Sequence, residues 1–258
     1  DFTLEAGETV VSWDLDFTPT SAPEEGEVMV WDFGNLSLTG SAIEDEHIAS
    51  SSSVFPEANL DAPVSRTTLG GLGVQVGRIY YLLDDTGHGP VGNIYEPIDV
   101  PLTAATGGAT DILKVQEAVQ SFSQRRTSIQ FPLNYGDSWN YDVNTSTDYF
   151  ITVAAFGLED TPAGQTARDS AGLSVAGYGT IILPSPDGSG TVSVEALMVQ
   201  RYREVTFNYT LGGQPAPALM LNALGLQQGA KQIITRYYFY AKGLPRSAAN
   251  ISIAEDGT

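Results

Sequence analysis

From Glu8 to Ala241 the sequence keeps returning to one pattern. A short run of β-branched and aromatic residues is followed by a cluster of Gly, Pro, Asn or Asp, and then by another such run. Chains punctuated this often have little room for long helices and favour strands joined by tight turns. The runs predict strands over Glu8–Phe17, Glu27–Phe33, Gly73–Leu83, Thr127–Phe131, Asp148–Leu158, Gly172–Leu183, Gly190–Tyr209 and Lys231–Ala241. In the second half of Thr191–Tyr209, Tyr202, Val205, Phe207 and Tyr209 alternate with polar residues, with one break, as in a half-buried strand. Pro186-Asp187-Gly188-Ser189-Gly190 and Leu211-Gly212-Gly213-Gln214 read as hairpin loops. The fold class expected is all-β, an antiparallel sandwich or jelly-roll-like arrangement with at most one or two short helices.

Helical signals are few. Thr110–Phe122 fits one helix or a pair of strands in a crossover, and Ala216–Leu226 fits a short helical turn. Gly157–Gly172, with Glu159, Asp160, Pro162 and Gly164, reads as a loop. Thr103–Thr110 is small and uncharged, the best place for a boundary. The chain is expected to form one large β domain, or two packed subdomains over approximately 1–105 and 110–258.

The 258 residues carry 31 Asp+Glu against 12 Lys+Arg, for a formal charge of -19. The imbalance reflects scarce base, with Lys114, Lys231 and Lys242 the only lysines. Such a surface repels phosphate and anionic lipid, so nucleic acid is not an expected partner. No apolar run is long enough to span a bilayer as a helix, so membrane insertion is not expected either. With no cysteine, there is no disulfide framework, thiolate metal site or cysteine nucleophile. The opening DFTLEAGETVVSW has neither a basic start nor a long apolar stretch, which fits a cytosolic protein or, as the absence of Met at position 1 favours, a mature form after signal-peptide removal.

Five stretches carry a resemblance: Trp31-Asp32-Phe33; Phe55-Pro56-Glu57-Ala58-Asn59-Leu60; Phe131 to Trp139 (FPLNYGDSW); Gly177 to Pro184 (GYGTIILP); and Tyr237 to Gly243 (YYFYAKG). In order and spacing they resemble a family of secreted, mostly uncharacterised proteins of the Bacteroidetes group, substrates of type IX secretion. The resemblance covers roughly residues 25–250. It implies export to the cell surface or beyond and a C-terminal sorting domain, expected here to be cleaved, left out or never present. It implies no particular enzyme activity. An arginine usual near the start of the strand after Gly-Tyr-Gly-Thr is replaced here by Ala196-Leu197-Met198-Val199, with Arg201 and Arg203 following.

Candidate chemistry is sparse. Gly136-Asp137-Ser138 resembles the nucleophile block of Gly-Asp-Ser esterases, and a serine nucleophile needs a histidine base. The sequence has only His47 and His88, and Asp85-Thr86-Gly87-His88 precedes the serine where those esterases place such a pair after it. Two histidines cannot supply a three-histidine zinc site. Calcium is the one cofactor the carboxylates could take, at Asp84, Asp85 and Asp99 or at Glu159, Asp160 and Asp169; otherwise none is expected. Trp139 and Tyr141 are candidates for stacking on a sugar ring, with core packing as the alternative. Asp169-Ser170-Ala171 resembles a bacterial O-glycosylation signal at Ser170.

The sequence supports three functions, in this order. The first is a non-catalytic extracellular or cell-surface structural protein, an adhesive or fibre-forming subunit whose partner is itself; Phe2–Val11 is a candidate donor strand. The second is a carbohydrate-binding module for extracellular polysaccharide, with or without calcium. The third is a hydrolase using Ser138 and His88.

Overall fold

The computed structural model describes residues 5–68, 71–244 and 246–255. In chain order the first strands are β1 (Glu8–Leu15), β2 (Gly26–Asp32), β3 (Leu38–Ala49), β4 (Leu60–Thr68), β5 (Gly73–Asp84), β6 (Gly87–Tyr95) and β7 (Ile98–Pro101). A one-turn helix α1 (Thr103–Thr106) leads to β8 (Ile112–Val115), β9 (Ala118–Ser121), β10 (Ile129–Gln130) and β11 (Ser138–Val153). Then come β12 (Leu158–Pro184), β13 (Thr191–Leu211), β14 (Gln214–Pro215), α2 (Ala218–Ala223), β15 (Ala230–Ala241) and β16 (Ala249–Glu255). The fold is all-β, as the punctuation predicts. One sheet runs β1-β3-β4-β5-β6-β10, with β9 also on β6. The other runs β16-β15-β13-β12-β11-β8-β7, with β14 on β13 and β2 on β12.

The turn read from sequence at 186–190 fixes the two longest strands, and the one at 211–214 closes β13 onto the short β14. Asp187 Oδ1 accepts from Ser185 Oγ at 2.7 Å and from the Ser189 amide at 2.9 Å, and Gly188 and Gly190 take positive φ. This closes β12 onto β13, which stay paired from Pro184↔Thr191 to Ala163↔Leu211. The region 157–172 is therefore not a loop. Its turn-prone residues form the first half of β12, because Thr161 and Ala163 find partners in Ile151 and Tyr149 of β11. The 110–122 segment resolves as strands: β8 joins β7 and β11, whereas β9 joins β6 in the other sheet. Sheet membership interleaves along the chain, since β2 also belongs with the later strands.

A register shift between Val175 and Gly177 reorganises the large sheet. β11 ends its pairing at Ser174, and β2 takes up the vacated edge of β12 in parallel. Gly179 makes this possible: a Cβ there would lie 2.0 Å from the Met29 carbonyl oxygen. Val199 and Met198, neighbours in β13, point to opposite faces and are both fully buried. Val199 packs with Tyr141, Leu173 and Val175; Met198 packs with Trp31, Ile181 and Phe239. A further cluster, around Leu102, Leu113, Ile151 and Tyr209, is covered by Met220 and Leu221 of α2. β1 is paired in its own molecule with β3, and residues 2–4 of the candidate donor segment lie outside the described residues.

Candidate ligand-binding cleft between the sheets

Strand alternation aims one parity of the large sheet at the small one. Thr147 and Tyr149 of β11, Gln165 and Asp169 of β12, and Arg203 of β13 share that inner face. Arg66 of β4, Asn93 and Tyr95 of β6, and Gln120 of β9 face them, with Arg126 from the segment before β10. Together they line a cavity of about 580 Å³, whose rim residues Ser65, Thr67, Val74 and Gln232 are exposed. Such a volume falls in the range of small-molecule sites. Its lining mixes these polar groups with the apolar Ala167, Val205 and Phe207.

Asp169 is the cleft's carboxylate. Arg203 Nε and Nη2 donate to its two oxygens at 2.7 and 2.9 Å, and Arg126 Nη2 lies 2.9 Å from Oδ2. Burial disfavours the Arg203 charge, and Asp169 more than compensates, so the guanidinium is held above its ordinary value. Arg126 Nε is buried with no hydrogen-bond partner among the described residues.

Arg66 is held differently. Its Nε and Nη2 donate to Gln75 Oε1 at 3.0 and 2.7 Å, and its guanidinium lies 4.0 Å from the centre of the Tyr95 ring. Gln75 is fixed because its Nε2 donates to the carbonyls of Glu96 and Gln116. Burial lowers the Arg66 guanidinium below its ordinary value, and burial raises the Tyr95 and Tyr149 phenols above theirs. The Tyr149 hydroxyl donates to Gln165 Oε1 at 2.7 Å, and Gln120 Nε2 reaches Thr147 Oγ1 at 3.1 Å.

The sequence candidates lie mostly elsewhere. Asp84 Oδ1 accepts from the amides of Thr86 and Gly87 and from Thr86 Oγ1, and Arg125 lies 2.9 Å away. The Thr86 hydroxyl and Arg125 hold this carboxyl down at about 2. With its oxygen committed to donors, Asp84 fits calcium poorly. Asp85 is exposed in the same turn, whereas Asp99 lies in β7 of the other sheet, in register with Lys114. Glu159 and Asp160 lie at the start of β12, with Asp160 on Lys114, far along the strand from Asp169. Among the described residues no three His, Cys, Asp or Glu side chains gather into a metal site.

Tyr141 is buried on the inner face and does not form an exposed platform. Trp139 is half-buried, its Nε1 donating to the Thr127 carbonyl at 2.9 Å. Ser170 lies mid-strand in β12, between Asp142 and Glu204 in register, while Asp169 beside it is occupied by its arginines. Ser138 opens β11 in an exposed position after a turn in which Asp137 Oδ2 accepts from the Asn134 amide. His88 is buried in β6 of the other sheet, stacked on Tyr81 at 5.0 Å. Burial, then His47 and Arg125, push its imidazole down to about 4.

Comparison with known proteins finds no matching family model, no matching curated sequence and no matching solved structure. The cleft therefore stands on its own chemistry. Arg66, Arg126 and Gln165 carry no local sequence signal. Arg203 does, as one of two closely spaced bases with Arg201 in a chain with so few, although Arg201 itself does not line the cleft.

Proposed function

We propose that this protein is a non-catalytic, extracellular β-protein that binds a polysaccharide in the cleft between its two sheets. The observation that supports this reading is the lining itself. Amides, hydroxyls and guanidiniums from both sheets converge around a partly open cavity. Sugar recognition uses such arrays of planar polar groups, which donate to and accept from ring hydroxyls. Export rests on the resemblance of the five motifs. The test is a glycan array probed with the full chain and with Gln165→Ala. Retention of a subset of glycans by the wild type, weakened in the variant, is expected; an empty array from folded protein would contradict the reading.

A structural role through self-association is a second reading. It is supported by β2, whose outer edge has no partner strand among the described residues and whose Val28 and Val30 are 75% and 65% exposed. Unpaired edges with apolar side chains template strand addition. Sedimentation at high salt tests it, with growth into assemblies expected and a persistent monomer against it.

A further inference from the structure

We propose, resting on the binding reading above, that the cleft selects an acidic oligosaccharide, with Arg66 and Arg126 receiving the anionic group of the sugar. The lining contains three guanidiniums, Arg66, Arg126 and Arg203, and one carboxylate, Asp169. Two positive charges are therefore in excess, inside a chain whose formal charge is -19. Concentrating scarce base in a cavity while acids dominate elsewhere is costly for folding, since an uncompensated charge removed from water is strongly disfavoured.

The holding of Arg66 makes the case specific. Its partner is a neutral carboxamide where a carboxylate would have cancelled its charge. Gln75 is 1% exposed, and its two donations to Glu96 O and Gln116 O turn Oε1 toward the guanidinium. No Asp or Glu pairs with Arg66 among the described residues. The arrangement orients the arginine and leaves its charge available to an incoming anion. Arg126 has one donor, Nε, without an acceptor, and Asn93, 4% exposed, has its Oδ1 without a donor. A sugar supplies the complement to both, an anionic oxygen for the arginines and a hydroxyl donor for Asn93.

The anion of an acidic sugar is either a carboxylate or a sulfate ester, and guanidinium forks donate to the oxygens of both. The experiment is calorimetric titration of the full chain with oligogalacturonate, a sulfated oligosaccharide and a neutral oligosaccharide of the same length. One or both acidic ligands should bind at least about 10-fold tighter than the neutral one, weakening with salt. Arg66→Gln should weaken the acidic ligand by about 10- to 100-fold, and Arg66→Lys by less. Arg168→Gln, which removes the same charge from an exposed pair with Asp142, should leave binding unchanged. Thermal melts of each variant establish that it is folded. Neutral and acidic ligands binding alike, or Arg66→Gln and Arg168→Gln behaving alike, would overturn acidic selection while leaving sugar binding intact. No binding by any of the three would overturn the binding reading as well.

Discussion

Arg203 grips Asp169 with both arms of its guanidinium, at 2.7 and 2.9 Å, from the strand next to it in the large sheet. Arg126 reaches the same carboxylate from the segment leading back to the small sheet. One acid thus ties the two layers together at the floor of the cleft. Removing it leaves two guanidiniums without their counter-charge, and Asp169→Ala should cost about 3–5 kcal/mol in denaturant unfolding. Asp142→Ala, which breaks the exposed pair with Arg168, should cost less than about 1 kcal/mol.

Gly179→Ala should be among the most damaging small substitutions. The new Cβ would meet the Met29 carbonyl at 2.0 Å, and neither backbone can move without parting β2 from β12. Gly172→Ala, seven residues earlier in the same strand, has no atom within 4 Å of its new Cβ and should be nearly neutral. Thermal melts of the two variants give the comparison directly.

Tyr141→Phe removes a buried hydroxyl that has no hydrogen-bond partner among the described residues. The ligand-free protein should lose nothing or gain up to about 1 kcal/mol, because an unsatisfied buried polar group is already a cost. A loss above about 1 kcal/mol by chemical denaturation would contradict the contacts described for this ring.

His88 gives stability a pH dependence. Its imidazole titrates near 6.5 when unfolded and is pushed down to about 4 in the fold, so between these values the unfolded chain binds more protons. This contribution is fully present above pH 6.5 and is lost as pH falls toward 4, by roughly 3 kcal/mol. Denaturant midpoints measured from pH 7 to 4 should fall in the wild type and fall less in His88→Gln. Asp84, held at about 2, adds a separate loss only below pH 4.

Much of the fold is legible in the sequence where local chemistry and tertiary structure agree. Asp187 with its flanking glycines announces the β12–β13 hairpin. The reading fails where pairing overrides composition, as at Pro162 and Gly164, which sit inside β12 because β11 supplies partners on one side and β13 on the other. The cleft was harder to read. Arg66, Asn93, Gln120 and Asp169 come from four strands in two sheets, and no local spacing brings them together. Trp139 and Tyr141 lie near it in the chain, but alternation sends Tyr141 into the core.

The claim that the space between the sheets is the working surface is tested most directly by hydrogen–deuterium exchange with and without a saturating acidic oligosaccharide. The account predicts added protection at the cleft-lining strands, around Arg66 in β4, Gln120 in β9 and Thr147–Tyr149 in β11. Protection confined to the outer edge at β2, or none at saturation, would contradict it.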